Sequence, residues 1–262
     1  MLVAGLQLDI VWEDKQANIE KVREKVRSAH LPKGALLALP EMFATGFSMD
    51  AKKTTDSVEC ETERFLADLA QEQGLYLLAG LVTTGEDGRE RNQSVVWNPQ
   101  GKEIARYSKI FPFAPGGELE NYAAGDSLVQ FQWEGMQTAL FICYDLRFPE
   151  IFRRAAADGA QLITVIASWP QARIHHWVTL LQARAIENQA FVIGVNRCGV
   201  DPKFCYPGRS IIVHPDGQIL ADAEGVEGII QADLSLSELV EYRKTRPFLN
   251  DMRPEWLPKG VR

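Results

Sequence analysis

Short apolar runs alternate along the chain with stretches whose apolar positions recur at helical spacing. Residues 2–8 read as a buried strand and 18–29 as an amphipathic helix. Pro32-Lys33-Gly34 then turns the chain into a strand at 35–39, which runs straight into Pro40-Glu41. A helix is predicted over 62–73, stopped by Gly74, with a strand at 75–82 behind it. Residues 93–97 and 103–107 pair across Asn98-Pro99-Gln100-Gly101, and 128–133 with 136–142 across Glu134-Gly135. Beyond Cys143 the pattern predicts a helix at 149–157, a strand at 162–167, a long helix at 175–188 and a strand at 191–196. A final hairpin joins 211–214 to 218–221 through Pro215-Asp216-Gly217.

Strands and helices interleave without linker, repeat or low-complexity tract. The fold class is therefore α/β and single-domain, with two sheets packed together and helices on both outer faces. We place the domain at residues 1–245. The tail at 246–262, with Phe248 and Trp256, is expected to pack on the domain or a partner subunit.

Composition narrows the function classes. With 28 Lys and Arg against 35 Asp and Glu, the formal charge is −7, which argues against nucleic-acid and anionic-membrane partners. The first residues lack the basic region of a secretory signal, and no apolar run approaches the ~20 residues that span a bilayer. The 4 cysteines show no CxxC pair, so reduced thiols in a cytoplasm are the expected state.

Three reactive side chains sit at the ends of strands. Cys143 follows the strand at 136–142 and precedes a helix opened by Pro149, a setting whose dipole favours thiolate. On this segment alone, a small buried hydrophobe is an equal reading. Glu41 ends the run Ala35-Leu36-Leu37-Ala38-Leu39-Pro40, where a carboxylate must find partners and suits a base for a thiol proton. A capping or salt-bridged glutamate is the alternative. Lys109, ahead of Ile110-Phe111-Pro112-Phe113, calls for an anion: Glu41, or charge developing on a substrate oxygen. Its ordinary alternative is a snorkelling surface lysine. Together a thiol, a carboxylate and an ammonium make a set for acyl transfer. His175-His176 is no metal pair, because adjacent helical residues point apart.

Four stretches carry a family resemblance: Leu39-Pro40-Glu41-Met42-Phe43, Tyr107-Ser108-Lys109-Ile110, Ile142-Cys143-Tyr144-Asp145-Leu146-Arg147-Phe148-Pro149, and Ala183-Arg184-Ala185-Ile186-Glu187-Asn188-Gln189. On these the chain resembles the nitrilase, or carbon–nitrogen hydrolase, superfamily. The resemblance implies a four-layer α-β-β-α sandwich, a Glu41–Lys109–Cys143 triad, a homodimer, and neither metal nor organic cofactor. It also implies that Glu118, nine residues after the lysine, orients Lys109. Within the superfamily the chain is most similar to bacterial omega-amidases. Ser168-Trp169-Pro170, Arg173, His176-Trp177 and Asn196-Arg197-Cys198-Gly199-Val200-Asp201 carry that finer match. One departure is Phe111, where that branch usually has histidine.

The expected reaction is hydrolysis of the terminal amide of a short dicarboxylic monoamide, of the 2-oxoglutaramate type, through a thioester on Cys143. The backbone N–H of Tyr144 is the expected second oxyanion donor. A substrate carboxylate needs a cation, for which Arg173 is the first candidate and Arg147 the second, with Asp145 expected to occupy Arg147. Trp169 and Tyr122 are candidate pocket walls. A nitrile or N-carbamoyl substrate on the same triad, or a silent scaffold of the same fold, are the competing readings.

Overall fold

The computed structural model describes residues 1–56 and 59–257. Its strands are β1 (Leu2–Gln7), β2 (Leu36–Ala38), β3 (Tyr76–Thr84), β4 (Glu90–Trp97), β5 (Glu103–Ser108), β6 (Gln130–Trp133) and β7 (Met136–Ile142). Then come β8 (Leu162–Ala167), β9 (Phe191–Asn196), β10 (Cys198–Val200), β11 (Cys205–Pro207), β12 (Ile211–Val213), β13 (Ile219–Asp222) and β14 (Gly228–Asp233). The helices are α1 (Lys15–Ala29), α2 (Ala51–Thr54), α3 (Glu61–Gln73), α4 (Glu118–Asn121), α5 (Pro149–Ala157), α6 (Ile174–Asn188) and α7 (Leu236–Thr245).

The alternation of side chains along the strands builds the layers. In β1, Val3 joins one apolar cluster and Ala4 the other; in β2, Leu36 and Ala38 face one way and Leu37 the other. The outward set packs under α1 and α3 through Ile19, Val22, Phe65 and Leu66. The inward set meets the second sheet, whose far side is covered by α5 and α6 through Phe152, Trp177 and Leu181. Where the sheets meet, a Cβ on Gly5 would lie 2.7 Å from Val195, so only glycine lets β1 approach β9 this closely. The result is the expected four-layer sandwich.

The first sheet runs β14-β1-β2-β3-β4-β5 and the second β13-β12-β9-β8-β7-β6. Strands β1, β2 and β3 are parallel, as are β7, β8 and β9; the outer strands are antiparallel. The ends of β5, β7 and β8 lead directly into Lys109, Cys143 and Ser168, and Glu41 lies three residues beyond the end of β2. A site outside the carboxyl ends of parallel strands follows from that topology.

The hydrophobic pattern stops the sheets at residue 221, yet β14 follows and pairs antiparallel with β1. It is an edge strand with Gln231 and Asp233 exposed, so it lacks the unbroken burial of β8 or β9. In the tail, the Arg246 carbonyl accepts from Gln189 at 2.8 Å, while Phe248 and Trp256 stay exposed. Residues 258–262 of the tail lie outside the described residues.

Candidate active site

Glu41 is completely buried just past β2. Its Oε1 accepts from Lys109 Nζ and from Asn92 Nδ2, both at 2.8 Å, and its Oε2 from the Ser168 N–H at 2.8 Å. Lys109 Nζ also donates to both oxygens of Glu118, at 3.1 and 2.8 Å, and lies 5.2 Å from the centre of the Phe47 ring. Glu118 is equally buried and accepts from Asn92 Nδ2 at 2.8 Å and from the Phe113 N–H. Burial alone would push the Lys109 ammonium down. The carboxylates of Glu118 and Glu41 overcome it and hold the lysine charged, well above its usual range.

Cys143 begins a five-residue 3₁₀ turn, Cys143–Arg147, at φ 45, a left-handed conformation rare for residues other than glycine. Such strain clusters at functional sites. The thiol lies at the cavity and feels the charges of Glu41 and Lys109. Burial first, then the Glu41 carboxylate, push it well above the ordinary thiol value, against the pull of Lys109. This corrects the thiolate expected from the helix dipole: the 3₁₀ turn separates Cys143 from α5, and desolvation outweighs a distant dipole. The resting thiol needs a base.

A cavity of about 190 Å³ opens over Cys143, and Tyr144, Ser168, Trp169, Arg147 and Arg173 line it with Phe47, Phe113 and the β10–β11 hairpin residues Asp201, Lys203 and Tyr206. That volume is below the range of drug-sized sites and suits a small ligand. Trp169 is fixed by its N–H on Asn196 Oδ1 at 2.7 Å and its indole N–H on the Arg173 carbonyl at 2.8 Å. The Arg173 guanidinium lies over the Phe113 ring at 5.5 Å.

The expectation for Arg147 is corrected. Asp145 turns away from it, into Tyr107 and backbone N–H groups, while Arg147 sits 4.8 Å from the Trp169 ring and 3.3 Å from His176 Nδ1. Burial and the nearby His175, Arg147 and Arg173 push the His176 ring down, leaving it neutral to accept from Arg147. Tyr122 is also corrected as a wall. It is buried away from the cavity, its hydroxyl donating to the Ser48 carbonyl at 2.7 Å beside Thr54 Oγ1 at 2.9 Å. Phe111, the departure from the omega-amidase pattern, stacks on Phe148 at 3.8 Å and does not line the cavity.

Sequence reading missed Asn92, which joins the two glutamates, and Lys203, a third cation at the cavity. Gly80 is a further hidden determinant, since a Cβ there would sit 2.6 Å from the Glu41 Cα. Gly80→Ala is expected to cost about 1–3 kcal/mol through overpacking and to lower kcat by about 10-fold or more through displacement of Glu41. Thermal unfolding and steady-state kinetics on the purified variant check both.

This arrangement of thiol, carboxylates and ammonium on an α-β-β-α scaffold is that of a thiol hydrolase. The carbon–nitrogen hydrolase family model matches residues 2–244, and the chain belongs to that family. It is 40% identical over 240 residues to the 2-oxoglutaramate amidase of Paenarthrobacter nicotinovorans, covering 87% of this chain and 82% of that one. It is 32% identical to the 2-oxoglutaramate amidase of Bacillus subtilis, covering 97% and 98%. Among solved structures, a carbon–nitrogen hydrolase superfamily protein of Xanthomonas campestris superposes with a TM-score of 0.91 at 29% identity, covering 97% of each chain. An amidase of Nesterenkonia, solved with acrylamide added to its active-site cysteine, gives 0.81 at 26% identity, covering 96% and 100%. The chain is thus an amide-cleaving carbon–nitrogen hydrolase.

Proposed function

We propose that the chain hydrolyses the terminal amide of a short dicarboxylic monoamide, such as 2-oxoglutaramate, to acid and ammonia. The observation that carries this reading is a cavity with Cys143 at its floor and Arg147, Arg173 and Lys203 around it. A neutral amide has no use for so many cations; a substrate carboxylate does. The relatives named 2-oxoglutaramate amidase support the same chemistry.

In the proposed mechanism Glu41 removes the Cys143 proton and sulfur attacks the amide carbon. Lys109 and the Tyr144 N–H, in the first turn after Cys143, stabilise the oxyanion. Glu41 passes its proton to the departing ammonia, then activates water against the thioester. Glu118 and Asn92 hold Lys109 and Glu41 in register. We read the working form as a cytoplasmic homodimer, with the exposed Phe248 and Trp256 of the tail as contact residues.

Ammonia release from a panel of monoamides, neutral amides, nitriles and N-carbamoyl amino acids tests the substrate class, and acidic monoamides are expected to lead. Arg173→Met and Arg147→Met are each expected to lower kcat/KM for them by about 10–100-fold, the worth of a charged hydrogen bond. Neutral amides should be unaffected. If the preference for acidic amides survives in both single variants and in the double variant, the assignment is wrong.

A further inference from the structure

Asp145 is fully buried two residues beyond Cys143. Its Oδ2 accepts from the Ile142 N–H at 2.9 Å and from the Tyr107 hydroxyl at 2.7 Å, and its Oδ1 from the Phe111 N–H at 2.9 Å. The first donor immediately precedes Cys143. The other two lie two residues before and two residues after Lys109. The same Tyr107 hydroxyl accepts from the Ile110 N–H at 3.3 Å, so the turn after β5 is gripped again beside the lysine.

That grip spans a gap the sheets leave open. Strand β5 is the edge of one sheet and β7 lies in the other, so no ladder joins the strand that ends at Lys109 to the strand that ends at Cys143. The carboxylate of Asp145 supplies the polar link between them. We infer that Asp145 is a positioning residue: in its ionised form it sets the Lys109 ammonium against the Cys143 sulfur. The inference rests on the roles proposed above for Lys109 and Cys143.

An ionised carboxylate only accepts, which matches three donors. A proton on it would aim an O–H at a donor and release one of the three bonds. Tyr107 and Lys109 face Asp145 from β5 and its following turn, and β7 presents the Ile142 N–H. Burial pushes the carboxyl up to about 7, against those N–H groups, the Lys109 charge and the Tyr107 hydroxyl. Activity therefore holds above that pH and falls as pH drops through it.

The test compares wild type, Asp145→Asn and Tyr107→Phe, with kcat expressed per folded protein, the folded fraction being read from the thermal unfolding transition, so that misfolded protein does not count. Asp145→Asn is expected to lose about 100-fold in kcat, the cost of a misplaced catalytic group, with little change in KM and no acid limb near pH 7. Tyr107→Phe keeps the carboxylate but removes a donor that holds its pKa down. Its acid limb should move to higher pH, an effect that loss of packing alone does not produce. If Asp145→Asn does not fold, the Tyr107→Phe shift decides. A wild-type-like kcat per folded protein in Asp145→Asn, or an unmoved limb in Tyr107→Phe, overturns the inference. Turnover surviving in Cys143→Ala would instead remove the proposed triad beneath it.

Discussion

Cys143→Ala is expected to lower kcat for an acidic monoamide by on the order of 10⁵–10⁶-fold, as loss of a catalytic nucleophile does elsewhere, with the fold intact. The thiol is the atom on which the proposed thioester forms, and the cavity holds no second cysteine to replace it. Cys198 is buried outside that cavity and Cys205 faces solvent. Stability should change little, because the substitution removes one atom at the cavity lining and alanine carries the same Cβ as cysteine at the positive φ. Ammonia assays at high enzyme concentration, alongside thermal unfolding, measure the two quantities separately.

The second large effect belongs to Lys109. Lys109→Met is expected to lower kcat by on the order of 10³, the upper cost of losing one oxyanion donor, and to destabilise the fold by about 3–5 kcal/mol near neutral pH. The second figure follows from what remains. Glu41 and Glu118 are completely buried, and each accepts a hydrogen bond from the same ammonium at 2.8 Å. Without it, among the described residues only the neutral Asn92 amide bridges them.

The pH dependence follows from the raised Lys109 pKa. A cation whose folded-state value lies above its unfolded one contributes its full stability throughout the neutral range and loses it only at strongly alkaline pH. Urea unfolding of wild type and Lys109→Met between pH 6 and 8 should therefore show a constant gap. A gap that closes between pH 6 and pH 8 would mean that the Lys109 charge does not supply it.

Much of this was readable from the chain because of how buried strands are written. Strands β7, β8 and β9 are largely apolar, broken only by Gln137, Thr138, Thr164 and Asn196, and the hydrophobic pattern gives their bounds as the structure has them. Glu41 and Cys143 stand out because apolar runs end on them, and Lys109 because Ile110-Phe111-Pro112-Phe113 follows it. The β10–β11 hairpin left no such mark. It pairs Cys198-Gly199-Val200 with Cys205-Tyr206-Pro207, short segments containing glycine and proline, and so Lys203 and Tyr206 were not seen at the cavity.

Other misses come from partners remote in sequence. Asn92 sits in the polar opening of β4, and only the folded chain brings Glu41 and Glu118 to its amide. Tyr122 looked like a pocket wall. Its hydroxyl is instead taken by Ser48 and Thr54, from a segment ahead of β3. Asp145 appeared to be the natural partner of Arg147, two residues away, until the fold turned it toward Tyr107 and Phe111. Local spacing proposes partners, and packing chooses among them.

The most direct measurement is intact-mass spectrometry of wild-type protein, acid-quenched during turnover of a slowly hydrolysed ester of a short dicarboxylic acid. The account predicts one added acyl mass, located by peptide mapping on the segment containing Cys143 and released by hydroxylamine. An acyl group found on another residue, or one formed equally well in Cys143→Ala, would contradict it.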